Sequence, residues 1–152
     1  MLGAEHPDTL QCQMNVAYAL NAQDKHKEAE KEYHEVLPVM KRTLGSDHPI
    51  TLNCRNNLAE AVQAQGRWKE MEVEHRAILA AREAAVGASH PDVFESCYNL
   101  ALCLESQDKL PEALTFSQQA QTGRNAALGS DHPSSKLAKQ LCDRIEKRIK
   151  EK

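Results

Sequence analysis

Apolar residues return along this chain at helical spacing, and the pattern restarts at a fixed interval. In the stretch after Pro49 they fall at Leu52, Leu58, Ala59 and Val62, the spacing of one helix face. Short polar breaks follow at Gln23-Asp24, Gln65-Gly66 and Gln107-Asp108, and a second helical stretch then runs to Gly45, Gly87 or Gly129. Each of those glycines is placed to take the left-handed conformation that ends a helix. The restart is marked by one phrase: Leu2-Gly3-Ala4-Glu5-His6-Pro7, Leu44-Gly45-Ser46-Asp47-His48-Pro49, Val86-Gly87-Ala88-Ser89-His90-Pro91 and Leu128-Gly129-Ser130-Asp131-His132-Pro133. The interval is 42 residues each time, and residues 2–43 share 17 identities with residues 44–85.

Seven helices follow from this pattern, at about 7–23, 26–43, 49–65, 68–85, 91–107, 110–127 and 133–150. Proline suits a first helical turn because its missing N–H has no partner to lose there. The residue before it is pushed out of helical geometry, which puts His6, His48, His90 and His132 at or beside the N-cap. One helical hairpin cannot bury its own apolar face, so the hairpins stack. Ala17, Ala59 and Ala101 are phased to let neighbouring helices approach, with Val16, Leu58 and Leu100 filling the space between. The seventh helix has an apolar stripe at Leu137, Leu141, Ile145 and Ile149 and charge elsewhere, as a terminal cap requires.

Composition narrows the class. Aromatics make up 4% and hydrophobic residues 41% of 152 residues, which favours helix over a sandwich or barrel. The length fits one domain. A net charge of −3 gives no global attraction to nucleic acid. No apolar run reaches the ~20 residues of a membrane span, and no basic start precedes an apolar segment as in a secretion signal. Five cysteines, odd in number and without a CxxC pair, read as buried reduced thiols of a cytoplasmic protein. Charge is uneven, however. Residues 133–152 carry +4 and the remainder −7.

The repeated phrase, the 42-residue unit, the Asn-Leu-Ala of residues 57–59 and 99–101, and Gln65-Gly66-Arg67-Trp68-Lys69-Glu70 resemble the tetratricopeptide repeats of kinesin light chains. The resemblance spans essentially the whole chain, and an ordinary tetratricopeptide unit is 34 residues. It extends to the small bacterial kinesin-light-chain-like proteins that accompany bacterial tubulin. It implies an all-α, right-handed solenoid of three hairpins (about 2–43, 44–85 and 86–127) and a capping helix, one domain over residues 1–152. It also implies that the first helix of each hairpin lines a concave groove.

On those first helices Asn15, Asn57 and Asn99 share one repeat position. A carboxamide both donates and accepts, so a series of them suits the alternating N–H and C=O of an extended peptide. The same residues also suit bonding between neighbouring repeats. Around them lie Tyr18, Asn53, Arg55, Asn56 and Tyr98, which complete the expected partner-binding groove. The kinesin light chains of animals resemble a basic trough for acidic peptides; here Glu60, Glu95 and Glu105 accompany Arg55, so acidic cargo meets repulsion.

Catalytic motifs are lacking: no glycine-rich phosphate loop, H-E-x-x-H or G-x-S-x-G occurs. Histidines one repeat apart stand roughly 10 Å from each other, too far to converge on a metal. The chain is therefore expected to be no enzyme, with no cofactor and no metal. The leading reading is an adaptor for a protein partner or peptide, with a bacterial tubulin-like filament as the resemblance implies. A second reading uses the basic last helix (Lys136, Lys139, Arg144, Lys147, Arg148 and Lys150) to lie on an anionic membrane, peripheral to the cytoplasm. Its stripe can cover the third repeat or enter a bilayer, not both. A third reading is a sensor fragment of a larger signalling protein.

Overall fold

The computed structural model describes residues 3–152. Within them are seven helices and no strand: α1 (Pro7–Ala22), α2 (His26–Leu44), α3 (Pro49–Gln63), α4 (Trp68–Val86), α5 (Pro91–Ser106), α6 (Leu110–Leu128) and α7 (Pro133–Lys150). The expected elements are all present, with ends shifted by at most two residues.

Each His-Pro phrase starts a helix in the same way. His6, His48, His90 and His132 have extended backbones, and each Nδ1 accepts the N–H two residues on. The distances are 3.1 Å to Asp8, 3.2 Å to Ile50, 3.1 Å to Asp92 and 3.1 Å to Ser134. Imidazole thus does the work usually done by serine or aspartate at an N-cap, satisfying one of the first-turn donors.

The helix ends correct the expectation. Gly45 and Gly129 have positive φ (99° and 87°) but ψ of 152° and 154°, an extended geometry open to glycine and not the left-handed helical one. Left-handed termination occurs instead inside the hairpins. Asp24 and Asp108 have φ of 62° and 61°. Lys25 N–H donates to Leu20 C=O and Asp24 N–H to Asn21 C=O; Lys109 and Asp108 repeat this with Leu104 and Glu105. That pair of bonds is a Schellman motif, here around aspartate.

The chain divides into two compact units, one ending at Arg67 and the other spanning Trp68–Lys152, so the boundary falls inside the second 42-residue repeat. Unit 1 packs α2 against both α1 and α3. Its core joins Leu10, Met14 and Ala17 to Tyr33, Val36, Leu37 and Met40, with Cys54 and Ala61 from α3. Unit 2 packs α4 on α5, α5 on α6 and α6 on α7. Its core runs from Leu79 through Val93, Leu100 and Leu104 to Leu110, Ala120, Leu141 and Ile145.

Three core assignments need correction. Leu100 is buried and Leu58 half-buried, but Val16 is 53% exposed because no described helix lies over that face of α1. On α7 only Leu141 and Ile145 of the stripe are buried; Leu137 and Ile149 face solvent, and Ala138 and Cys142 take their place against the core. Four thiols are buried, but Cys12 is exposed.

Candidate functional site

In unit 1, α1 carries Asn15 and Tyr18, and α3, which touches it, carries Asn53, Arg55, Asn56 and Asn57. Asn15 is exposed, and its Oδ1 accepts from Gln11 Nε2 at 3.2 Å. Tyr18 is 60% exposed, and Asn53 is exposed too. Asn56 is buried and donates to Glu60 Oε1 at 3.0 Å. Asn57 is half-buried, and burial pushes the pKa of the buried Tyr33 phenol up. Arg55 turns back onto the loop before its own helix, donating to Ser46 C=O at 3.2 Å and to Asp47 at 3.5 Å. Of the candidate groove residues in this unit, Asn15, Tyr18 and Asn53 face solvent.

Unit 2 holds the other two groove residues in a more occupied setting. Asn99 is buried, and Tyr98 is half-buried with the Arg124 guanidinium 4.5 Å from its ring centroid. Nearby, Glu105 accepts a two-pronged bond from Arg144, Nε at 2.7 Å and Nη2 at 2.6 Å. Arg148 reaches the Glu105 carboxylate at 3.3 Å and Asp108 at 3.0 Å, and Lys152 also pairs with Asp108. Burial raises the Glu105 pKa, and the bonds and charges of Arg144 and Arg148 outweigh it, so the carboxyl stays below its ordinary value. Two of the six candidate lipid-binding residues are thus clamped onto α5 and its following turn. Lys139 pairs with Asp143 at 2.6 Å and Lys147 with Glu151 at 3.9 Å, both on the outside of α7. Lys136 and Lys150 are exposed.

A polar bridge that the sequence reading passed over occurs in both units. Gln65 Nε2 donates to Glu30 at 2.7 Å, and Arg67 Nη1 to the same carboxylate at 2.8 Å. Forty-two residues on, Gln107 Nε2 donates to Glu72 at 2.9 Å and Lys109 Nζ at 2.7 Å. The Lys109 bond, acting against burial and joined by Gln107 and Arg76, holds the Glu72 pKa down to about 2. The signal was present in the breaks themselves, where glutamine and a base recur two residues apart (Gln65 and Arg67, Gln107 and Lys109).

Unit 2 also contains a cavity of about 740 Å³, walled by Val93, Phe94, Cys97, Gln119, Gly123 and Ala127. The Phe94 ring lies so close to α6 that a Cβ on Gly123 would sit 2.2 Å from it. Burial pushes the Cys97 thiol up to about 11, so it stays protonated and inert. Among the described residues no cluster of His, Cys, Asp and Glu is placed to hold a metal, and no helix is long and apolar enough to cross a membrane.

First helices that start on the same His-Pro cap, and polar bridges that recur 42 residues apart, define a helical-repeat protein. A family profile for the tetratricopeptide repeat matches residues 8–83 and 55–126. The chain belongs to the tetratricopeptide-repeat family. It is similar to the kinesin light chain nearly identical TPR-like repeats of Podosopora anserina: 26% identity over 92% of this chain and 66% of that one, with a TM-score of 0.84. BtubC (BKLC) from P. vanneervenii has the same fold at 14% identity, covering 95% of this chain and 66% of that one, TM-score 0.70. So does the type III secretion translocator chaperone SycD of Yersinia enterocolitica, at 16% identity over 95% and 88%, TM-score 0.72. The chain spans about two thirds of the length of the light-chain structures. Among curated proteins, none matches.

Proposed function

We propose that this chain is a non-catalytic adaptor, residues 1–152 acting as one domain, that holds a protein partner or extended peptide along its first helices. The observation that carries the reading is the exposed trio of Asn15, Tyr18 and Asn53 in unit 1. Two carboxamides offer donors and acceptors to a peptide backbone, and the Tyr18 ring offers an apolar face with a polar tip. Asn57 is half-buried and Asn99 buried, so neither is counted in that surface. The fold shared with BtubC supports a bacterial tubulin-like filament as the partner class and a cytoplasmic, cytoskeleton-associated location.

The test has two arms. Immobilised chain and a Tyr18→Ser, Asn53→Ala variant are compared for partner capture, and both are co-sedimented with bacterial tubulin filaments. Capture lost in the variant at unchanged melting temperature supports the groove. Equal capture by both removes it, and filaments that leave the chain in the supernatant remove the tubulin reading alone.

A membrane-surface role for α7 draws on a separate observation: Leu137 is 50% exposed among the outward Lys136, Lys139, Lys147 and Lys150. Each such base near an anionic surface contributes about 1 kcal/mol. Sedimentation with anionic vesicles that a Lys147→Glu, Lys150→Glu variant leaves unchanged would remove this second role.

A further inference from the structure

At one repeat position a plug in unit 1 becomes a space in unit 2. Arg55 of α3 folds back onto the start of its own helix, donating to Ser46 C=O at 3.2 Å and to Asp47 at 3.5 Å, and its side chain is only 11% exposed. Forty-two residues on, the whole set has changed: Cys97 stands for Arg55, Ala88 for Ser46 and Ser89 for Asp47. The long side chain and the carboxylate that held it are both gone. Ala88, Ser89 and Cys97 all line the cavity of about 740 Å³.

The α6 wall does not fill the gap. Thr115, Thr122 and Ala126 are short, and Gly123 is bare, with the Phe94 ring in the place its Cβ would take. Val93, Phe94 and Ala127 add apolar surface, while Gln118 and Gln119 bring two carboxamides, and Gln119 Oε1 accepts from the Cys97 thiol at 3.7 Å. Glu83, exposed near the end of α4, is the one charged residue on the wall. Small-molecule sites are apolar pockets of about 300–1,000 Å³ with a few polar groups that fix orientation, and this cavity has that size and that make-up. A single side chain from a partner protein would leave most of the space empty.

We propose that the cavity between α5 and α6 is a binding site for an uncharged, flat apolar small molecule that carries a carbonyl or hydroxyl group. Its body lies against Val93, Phe94 and Ala126. Its polar group meets Gln118 or Gln119, since a carboxamide both donates and accepts. Glu83 at the rim disfavours anions. The site shares no residue with the Asn15, Tyr18 and Asn53 surface, so it stands or falls independently of the adaptor reading.

The probe is prodan, a neutral naphthalene ketone whose emission shifts to the blue in apolar surroundings, titrated into the full-length protein beside its anionic relative anilinonaphthalenesulfonate. The expected results are saturable binding of one prodan per chain, amide NMR shifts centred on Gln119 and Gly123, and binding of the anionic dye that is several-fold weaker and recovers in Glu83→Gln. Ala88→Ser, Ser89→Asp, Cys97→Arg rebuilds the α3 plug and should weaken prodan about tenfold or more. Thr122→Phe fills the cavity from an exposed position of α6, so it tests the same point in a chain whose melting temperature is unchanged even where the triple variant does not fold. No saturable binding overturns the proposal, as does binding indifferent to Thr122→Phe or NMR shifts centred elsewhere. Equal affinity for the anionic dye overturns the assignment to uncharged ligands.

Discussion

The joint between a second helix and the next first helix is built differently in the two units, though the repeat position is the same. In unit 1 it is Met40, fully buried and packed in a cluster that Ile50 borders. In unit 2 it is Arg82, buried as deeply, donating to Asp92 C=O at 3.1 Å, Glu95 at 3.0 Å and Ser96 Oγ at 2.8 Å. Arg124 repeats the motif at the next joint, donating to Ser134 C=O at 2.9 Å. A guanidinium is tolerated there because Glu95 and Ser96 add a carboxylate and a hydroxyl to the backbone carbonyl, whereas unit 1 has Asn53 and Cys54 at those two positions. The repeat fixes where the helices meet, and the side chains at the joint decide whether it is dry or hydrogen-bonded.

Exchanging the two joints gives the largest expected effect. Met40→Arg places a charge in an apolar joint with no carboxylate to meet it, and should cost about 3–5 kcal/mol in a urea melt. Next comes pH, through His75, which is buried at the repeat position that Tyr33 occupies in unit 1. Burial pushes its pKa down from 6.5 to about 4, so the folded protein keeps it neutral while the unfolded chain takes up a proton first. Stability should therefore fall as pH drops from about 6.5 to about 4, by roughly 3 kcal/mol, and His75→Gln should flatten that part of the profile. Below about 4.5 the protonation of Glu72 against its lowered pKa adds a further loss.

Arg82→Met, the reverse exchange, should cost less, about 1–3 kcal/mol, because it fills the joint with an apolar chain and leaves mainly the buried Ser96 hydroxyl short of a donor. The smallest effect is expected at a helix start common to both designs. His48→Ala removes a cap and should lower stability by about 0.5–2 kcal/mol, measurable as a melting-temperature shift.

The fold could be read from the sequence because it is periodic: the same glycine, histidine and proline returned at one interval, and each acts through local backbone physics. The capping imidazoles were legible for that reason. What escaped was decided between helices. Val16 has the same apolar character as Leu100, and only the presence or absence of a covering helix separates exposed from buried. Gln65 and Gln107 were visible as parts of a break, but their bond to Glu30 and Glu72 spans 35 residues. Of the candidate groove residues, Asn15, Tyr18 and Asn53 face solvent, as a helical period allows. The period could not show that Arg55 folds back onto its own loop, or that the Glu105 carboxylate is paired with Arg144 and Arg148 from a helix 39 residues or more away.

These two environments bear directly on function. Unit 1 leaves Asn15, Tyr18 and Asn53 exposed to solvent, while unit 2 covers Tyr98 with Arg124 and locks Glu105 into a salt-bridged cluster. The partner recovered by capture should therefore bind through unit 1. Isothermal titration of that partner against Tyr18→Ser, Asn53→Ala and against Tyr98→Ala, with melting temperatures taken on the same samples, is the most direct measurement. The account predicts a roughly ten- to hundredfold loss of affinity for the unit 1 variant at unchanged melting temperature, and for Tyr98→Ala a lower melting temperature with affinity retained. Affinity lost with Tyr98→Ala and kept in the unit 1 variant would contradict it.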